Sequence, residues 1–485
     1  MAFTSTVPGQ TQQPSGFANL RPLGDRVRPI TPDEFHARLV HAQELMSQLN
    51  PKFDALILGP GTSLYYFTGI RWGLSERLLA LIVLRTGQPI LISPAFEESR
   101  MRELTSYPLE VRVWQEDESP TKLIVSSLAD RGVRSGRAGI DEALPFTFYD
   151  HFRAAAPGFA CVSADPVTIA CRAVKSTHEL ELMGLACEAT CDVYRQIFSN
   201  LQEGVPEEEV VRLINAGYAK MNLRGYGLVL FGASAALPHG TRQRQTLREG
   251  DVVLIDGGCS VEGYQSDVTR TGILGKPSDK IERAYQLVRK AQGAALDAAR
   301  AGKLSGSVDD AARSVITSAG FGPDYKFFTH RLGHGIGLDG HEHPYLVRAS
   351  KTMLAPGMTF SNEPGIYVNL AFAAKTSWSS WQKVRRRFSP PACKCRSRSR
   401  WENRGKTEAG TYGPHLRCLL KCASGFGSLL PHLLASCSTN STILSSAQNR
   451  SSPLHLDTNP QCPPCSGATN LTCGLSFTRT RKRDS

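Results

Sequence analysis

Several features are scarce or missing in the 485-residue chain, and each shortage excludes something. No stretch approaches 18 consecutive apolar residues, so no membrane-spanning helix is expected. The first 22 residues lack a charged segment followed by an apolar run, so no secretory leader is expected and a cytoplasmic setting is the default. Through residue 370 the cysteines are few and unpaired in spacing: Cys161, Cys171, Cys187, Cys191 and Cys259 read as reduced thiols of an intracellular protein. Acidic residues are scarce only after residue 370, where 4 stand against 18 Lys and Arg; residues 1–370 carry 40 acidic and 38 basic side chains. A mildly acidic globular protein therefore carries a strongly basic extension.

That extension, 371–485, has neither helical nor strand periodicity and is rich in Cys, Ser and Pro, so it is expected to be disordered or translated out of frame. Its Cys393-Lys-Cys395 and Cys462-Pro-Pro-Cys465 pairs lack the partner cysteines or histidines of a zinc site. Its basic runs, Arg385-Arg386-Arg387 and Arg479 to Arg483, have no aromatic platform beside them, so nucleic-acid binding is not expected.

Upstream the order is richer. Residues 1–28 are Gly, Pro, Ser, Thr and Gln-rich and are expected to lack fixed structure. Thr31-Pro32-Asp33-Glu34 opens a helix with a capping box and a proline at its first position. Short β-like runs at Ala55–Leu58, Ser63–Thr68, Leu79–Leu84, Pro89–Ser93 and Leu109–Trp114 then alternate with helical stretches, giving an α/β domain over residues 29–168. A second capping box, Ser176 to Glu179, starts an α+β domain spanning 172–370. Its helices are expected near 177–201, 206–221, 279–300 and 308–319, with strands at 227–231 and 358–368.

The chemistry concentrates in three stretches of this second domain. Asp251 to Thr271 reads as a hairpin, broken at Gly257-Gly258, that carries Asp256 and Asp267. A carboxylate ending an apolar strand is costly to bury without a cation or a hydrogen-bond network. His330 to His343 places four histidines among glycines that argue for extended backbone rather than a helix. Glu363 follows, held extended by Pro364. Carboxylates with imidazole form a mixed oxygen and nitrogen donor set that suits Mn²⁺, Co²⁺ or Zn²⁺, and several carboxylates could bridge two such ions. A paired centre of that kind lowers the pKa of water and polarises a carbonyl, which points to amide hydrolysis.

LIDGGCSVEGYQSDVTRT, HRLGHGIGLDGHEHP and SNEPGIYV together resemble the metallopeptidases of the pita-bread fold, in the Xaa-Pro aminopeptidase and prolidase branch, over about residues 30–370. The resemblance implies a creatinase/prolidase-like N-terminal α/β domain and a pita-bread catalytic domain. It implies Asp256, Asp267, His334 and Glu363 as ligands of two divalent ions, Mn²⁺ first and Co²⁺ or Zn²⁺ next. By the same resemblance His239 stands beside the substrate, His330 helps hold it, and His341 bonds the scissile carbonyl or its tetrahedral intermediate. Peptides with proline at the second position, and a homodimer, are the implied partners.

One part of the family pattern is missing. By the resemblance a second bridging glutamate should follow SNEPGIYV by a little over a dozen residues, in a segment similar to FGVRxED followed by an apolar strand, but residues 369–388 contain no acidic residue, and Glu402 and Glu408 lie in unrelated surroundings. Read one base earlier, codons for Asn369 to Val384 permit F-G-V-R-x-E-D-x-V-V-x-V-A-E-G, so a frameshift or mis-spliced junction near residues 368–370 would account for both the lost ligand and the basic tail. Two other readings follow: a non-catalytic product of the same fold, and a metal-free hydrolase of the creatinase kind, which the retained acidic residues disfavour.

Overall fold

The computed structural model describes Phe17, residues 19–105 and 107–368, and the backbone of the strand Phe372–Lys375. Most of the basic extension, Glu402 and Glu408 included, lies outside the described residues, as do residues 1–16. No described helix is long and apolar enough to cross a membrane.

The N-terminal domain comprises α1 (Pro32–Gln48), β1 (Ala55–Leu58), α2 (Thr62–Thr68), β2 (Ala80–Leu84), β3 (Ile90–Pro94), α3 (Glu98–Leu104), β4 (Glu110–Trp114), α4 (Pro120–Asp130), β5 (Gly136–Ile140), α5 (Phe146–Ala155), β6 (Phe159–Ser163) and α6 (Asp165–Ala173). Its six strands form one mixed sheet in the order β4-β3-β2-β1-β5-β6. Strands β1, β2 and β3 are buried at every position, the pattern of strands covered on both faces. The expected capping box starts α1: Thr31 Oγ1 accepts from the Glu34 amide, and Glu34 reaches back to the Thr31 amide.

The second domain comprises α7 (Thr177–Asn200), α8 (Glu207–Lys220), β7 (Arg224–Phe231), β8 (Val252–Val261), β9 (Tyr264–Gln265), β10 (Val268–Ile273), α9 (Asp279–Ala298), α10 (Ser305–Ser318), β11 (Gly333–Gly335), β12 (Glu342–Leu346), β13 (Gly365–Val368) and β14 (Phe372–Lys375). Strands β10, β8 and β7 form the main antiparallel sheet, while β11 pairs with β12 and β13 with β14. Helices α7 and α8 cover one side of this sheet through Val193, Ile197, Ile214 and Tyr218. Helices α9 and α10 pack with Leu230, Val252 and Leu254 on the other. One apolar cluster runs from α1 and β1 into α7, α8 and β8, so the two domains share a core. Arg38 of α1 is buried in that junction, where it donates to Tyr264 Oη and to the Tyr66 carbonyl and pairs with Glu179 at 3.2 Å.

Four expectations are corrected. Ser63–Thr68 forms helix α2 rather than a strand, because Gly61 precedes it and Gly69 closes it in the left-handed conformation, turning an ambiguous apolar run into two helical turns. Gly257-Gly258 does not break the hairpin: β8 continues through both to Val261, so Asp256 lies inside the strand, opposite Thr269. The described part of residues 1–28 is ordered, with Leu20 and Leu23 buried in the shared core and Arg26 and Arg28 paired with Glu188 and Glu181 of α7. The expected strand at 358–368 narrows to β13, with isolated bridges at Met358 and Phe360.

Gly258 is needed for close approach, since a Cβ there would lie 2.0 Å from the Ser266 carbonyl oxygen. Gly293, inside α9, has open space around its absent Cβ. Thermal unfolding is therefore expected to separate the two substitutions by sign. Gly258→Ala should destabilise by about 1–3 kcal/mol through overpacking, and Gly293→Ala should stabilise by about 0.5–1 kcal/mol through lower unfolded-state entropy.

Candidate metal centre

The main sheet and the β11–β13 region bring three of the expected ligands together. Asp267 immediately precedes β10, His334 is the middle residue of β11, and Glu363 lies two residues before β13. One donor atom from each lies within 4.8 Å of the others. His334 Nε2 is 3.4 Å from Asp267 Oδ2 and 3.1 Å from Glu363 Oε1. Two donors bound to one ion at about 2.1 Å sit roughly 3.0–3.4 Å apart, so the spacing fits a shared divalent ion.

Hydrogen bonding fixes the direction of each donor. His334 Nδ1 lies 3.0 Å from the Gly335 carbonyl; a carbonyl only accepts, so Nδ1 carries a hydrogen, and Nε2 faces the carboxylates, donating to them when protonated and offering its lone pair to an ion when not. Ser361 Oγ accepts from the His334 amide at 3.1 Å and donates to Glu363 Oε1 at 2.6 Å. The Ser361 amide in turn donates to the His334 carbonyl at 2.8 Å. Gly333 makes this approach possible, since a Cβ there would lie 2.0 Å from the Ser361 carbonyl oxygen.

Asp256 lies outside that trio but on the same ladder. Its partner across β8 and β10 is Thr269, whose hydroxyl donates to Asp256 Oδ1. Gly257 pairs with Val268, so Asp256 and Asp267 stand diagonally across the ladder, a relation that typically separates Cα atoms by about 7–8 Å. Both carboxylates act on the buried Tyr194 hydroxyl. Burial first, then Tyr218, Asp256 and Asp267, push that hydroxyl well above its usual range.

The histidines divide. His341 stacks on His334 with ring centroids 3.7 Å apart, which puts it directly against the cluster. His330 is one step removed: Nε2 meets Tyr367 Oη at 2.8 Å, and Nδ1 donates to the Arg331 carbonyl at 2.6 Å. His239 is exposed in the connection between β7 and β8, and no described hydrogen bond joins it to the cluster.

Sequence reasoning missed an ionic latch around His341. Glu342, next in the chain, is buried between Lys175 Nζ at 2.5 Å and Arg172 Nη2 at 2.7 Å. Arg172 also holds Asp339, which accepts from the Thr62 hydroxyl at the start of α2. The loop bearing His341 is thus fastened to α6 and α2 of the N-terminal domain. A small cavity of about 60 Å³ lies beside it, lined by Arg172, His341, His343 and Tyr345 among others. Such a latch has no local sequence signal, because its members are more than 160 residues apart.

Burial alone would lower the His334 pKa, but hydrogen bonds to Asp267 and Glu363, reinforced by their charges, raise it to about 9. The folded value exceeds the ordinary 6.5, so protonated His334 contributes stability that is complete below about pH 6.5 and lost as pH rises through about 9. The metal-free protein is expected to lose melting temperature across that window, and His334→Gln should flatten the slope. Proton and cation compete for the same lone pair, so apparent Mn²⁺ affinity should climb with pH toward 9, as titration calorimetry at several pH values would show.

Sequence and structural comparisons agree on kinship. The pattern of Metallopeptidase family M24 matches residues 181–390, and that of the Creatinase/Prolidase N-terminal domain matches residues 38–174. The chain is 32% identical over 326 residues to an Xaa-Pro dipeptidase of Lactobacillus delbrueckii subsp. lactis, covering 65% of this chain and 86% of that one. It is 30% identical over 320 residues to an Xaa-Pro dipeptidase of Pyrococcus horikoshii, covering 65% and 86%. Among solved structures, dipeptidase PepE from Mycobacterium ulcerans superposes with a TM-score of 0.67 at 31% identity, over 72% of this chain and 93% of that one. Prolidase from Thermococcus sibiricus gives 0.64 at 29% identity, over 71% and 93%. With its creatinase-like N-terminal domain leading into a pita-bread catalytic domain, the chain belongs to metallopeptidase family M24, among the dipeptidases of the prolidase type.

Proposed function

We propose that the protein is a dinuclear-metal peptidase that cleaves the bond before proline in Xaa-Pro substrates, with turnover impaired by the missing second bridging glutamate. The observation that carries this reading is the convergence of Asp267, His334 and Glu363 from three distant segments into one ligand-sized cluster. Asp256 and Asp267 would hold one ion, and Asp267, His334 and Glu363 the other, with Mn²⁺ the best match to carboxylates and a single imidazole. Ions bound there supply a lowered water pKa and a Lewis-acid pull on the scissile carbonyl.

The surrounding residues do the positioning. Ser361 and Thr269 donate to the Glu363 and Asp256 carboxylates, which leaves their remaining lone pairs for ligation. In this reading His341, whose ring lies tilted against His334, steadies developing oxyanion charge, and His330, anchored by Tyr367, holds the substrate. His239 serves as the outer substrate-side histidine in this reading, and the working protein is a homodimer.

The impairment follows from the chain after Val368. The position a little over a dozen residues past Val368, where the resemblance places the second bridging carboxylate, lies outside the described residues, and residues 369–388 contain no Asp or Glu. Loss of reading frame near residues 368–370 accounts for that gap and for the basic extension together. Sequencing the transcript across codons 360–390 tests this origin; an intact frame, with no sister transcript carrying Glu-Asp, overturns it.

Activity has its own test. The full chain, incubated with Mn²⁺, is expected to split Ala-Pro slowly and leave Ala-Ala intact, with Asp267→Asn reducing turnover by at least about 100-fold, as expected when a metal ligand is lost. Metal bound by elemental analysis without any Ala-Pro cleavage would favour the non-catalytic reading. Two ions per chain with brisk turnover would overturn the impairment.

A further inference from the structure

Behind the candidate centre, α10 carries an ion pair more deeply buried than any other among the described residues. Arg313 is 1% exposed and Asp309, one turn earlier, is 0% exposed. The pair is bidentate, with Arg313 Nε donating to Asp309 Oδ2 at 2.9 Å and Nη2 to Oδ1 at 3.0 Å. The guanidinium also packs over the rings of Phe328 and Tyr325, at 4.2 and 4.3 Å.

Burying two charges is expensive, and well-packed apolar residues at such positions are often as stabilising. What distinguishes this pair is where its remaining hydrogen bonds go. Arg313 Nη1 donates to the carbonyls of Asp324 at 3.2 Å and Phe328 at 2.8 Å, and Nη2 donates to the carbonyl of His330 at 2.9 Å. Asp309 Oδ1 accepts from the Leu332 amide at 2.8 Å. The Leu332 carbonyl then accepts from the Glu363 amide at 2.9 Å. One ion pair therefore grips the backbone on both sides of Arg331, three residues before His334, and reaches Glu363 through a single intervening residue.

We infer that Asp309 and Arg313 are positioning residues for the metal ligands: they fix the backbone of His330 to Leu332, and through it the separation of His334 Nε2 from the Glu363 carboxylate. Neither side chain touches a ligand side chain. Their effect passes through main-chain hydrogen bonds, so a change in either should loosen the ligand geometry before it abolishes the fold. This inference rests on the reading of Asp267, His334 and Glu363 as ligands.

The test uses the full chain stripped of metal and titrated with Mn²⁺ alone by calorimetry, with bound Mn²⁺ followed by electron paramagnetic resonance. Asp309→Asn keeps shape but removes charge, and Arg313→Lys keeps charge but loses the fork. Leu128→Ala, in a buried position of α4, controls for general destabilisation. Measured well below each variant's melting temperature, Asp309→Asn and Arg313→Lys are expected to bind Mn²⁺ about 10–100-fold more weakly, the usual cost of losing outer-shell support, whereas Leu128→Ala should bind as the unaltered chain does. A folded Asp309→Asn or Arg313→Lys protein with unaltered Mn²⁺ affinity overturns the positioning role. Failure of the unaltered chain to bind Mn²⁺ overturns the ligand assignment itself and is seen before any variant is made. Should Asp309→Asn not fold, Arg313→Lys decides the outcome.

Discussion

The catalytic domain is organised around an electrostatic demand: buried and half-buried acidic groups crowd one imidazole. Asp267 and Glu363 approach His334 Nε2 from different strands, and Asp256 stands diagonally across the β8–β10 ladder from Asp267. Carboxylates in low dielectric repel one another and cost free energy unless a cation or donor array compensates. Among the donors are the Ser361 hydroxyl for Glu363 and the Thr269 hydroxyl for Asp256. The upward shift of His334 against the pull of burial shows how strongly the pocket favours positive charge. A proton satisfies that demand in part, and a divalent ion satisfies it more fully.

Such crowding persists only where the surroundings leave no room for relaxation. On the α9 side, Gln292 and Asn362 exchange side-chain to main-chain hydrogen bonds, both at 3.0 Å, locking the residue before Glu363. On the α10 side, the Asp309–Arg313 pair grips the approach to β11. On the N-terminal side, Arg172 and Lys175 hold Glu342 beside His341. Helices that look like passive cover for a sheet thus act as the fixed frame for the ligands, and the N-terminal domain reaches the site through the His341 loop rather than only through the shared core.

The candidate ligands were legible because their chemistry is local. Asp256, Asp267, His334 and Glu363 sit in short motifs whose glycines and proline announce close approach and extended backbone, and three of the four meet in the structure. The frame around them was not legible. Asp309 and Arg313 read as an ordinary i,i+4 helix pair, and only the tertiary fold shows that they face inward. Arg172 and Lys175 lie in a domain connection with no motif, and their partners Asp339 and Glu342 were screened by the histidines around them. The Ser63–Thr68 run and the glycine pair in β8 misled for one reason: glycine can cap a helix, break a strand or allow a close contact, and sequence alone does not choose among these.

Charge balance bears on what the missing carboxylate means. Asp256, Asp267 and Glu363 carry three negative charges when ionised, whereas two divalent ions carry four positive ones. A fourth carboxylate would add one more negative charge beside the ions, and its absence weakens the electrostatic hold on a second ion. One ion with three carboxylates leaves the centre net negative, a state to which the pocket is already adapted, as its hold on the His334 proton shows. In the two-ion reading proposed above, the electrostatics of this chain would favour filling the His334 side first and hold a second ion more weakly, so that the proposed impairment would take the form of low occupancy at one position with the fold left in place.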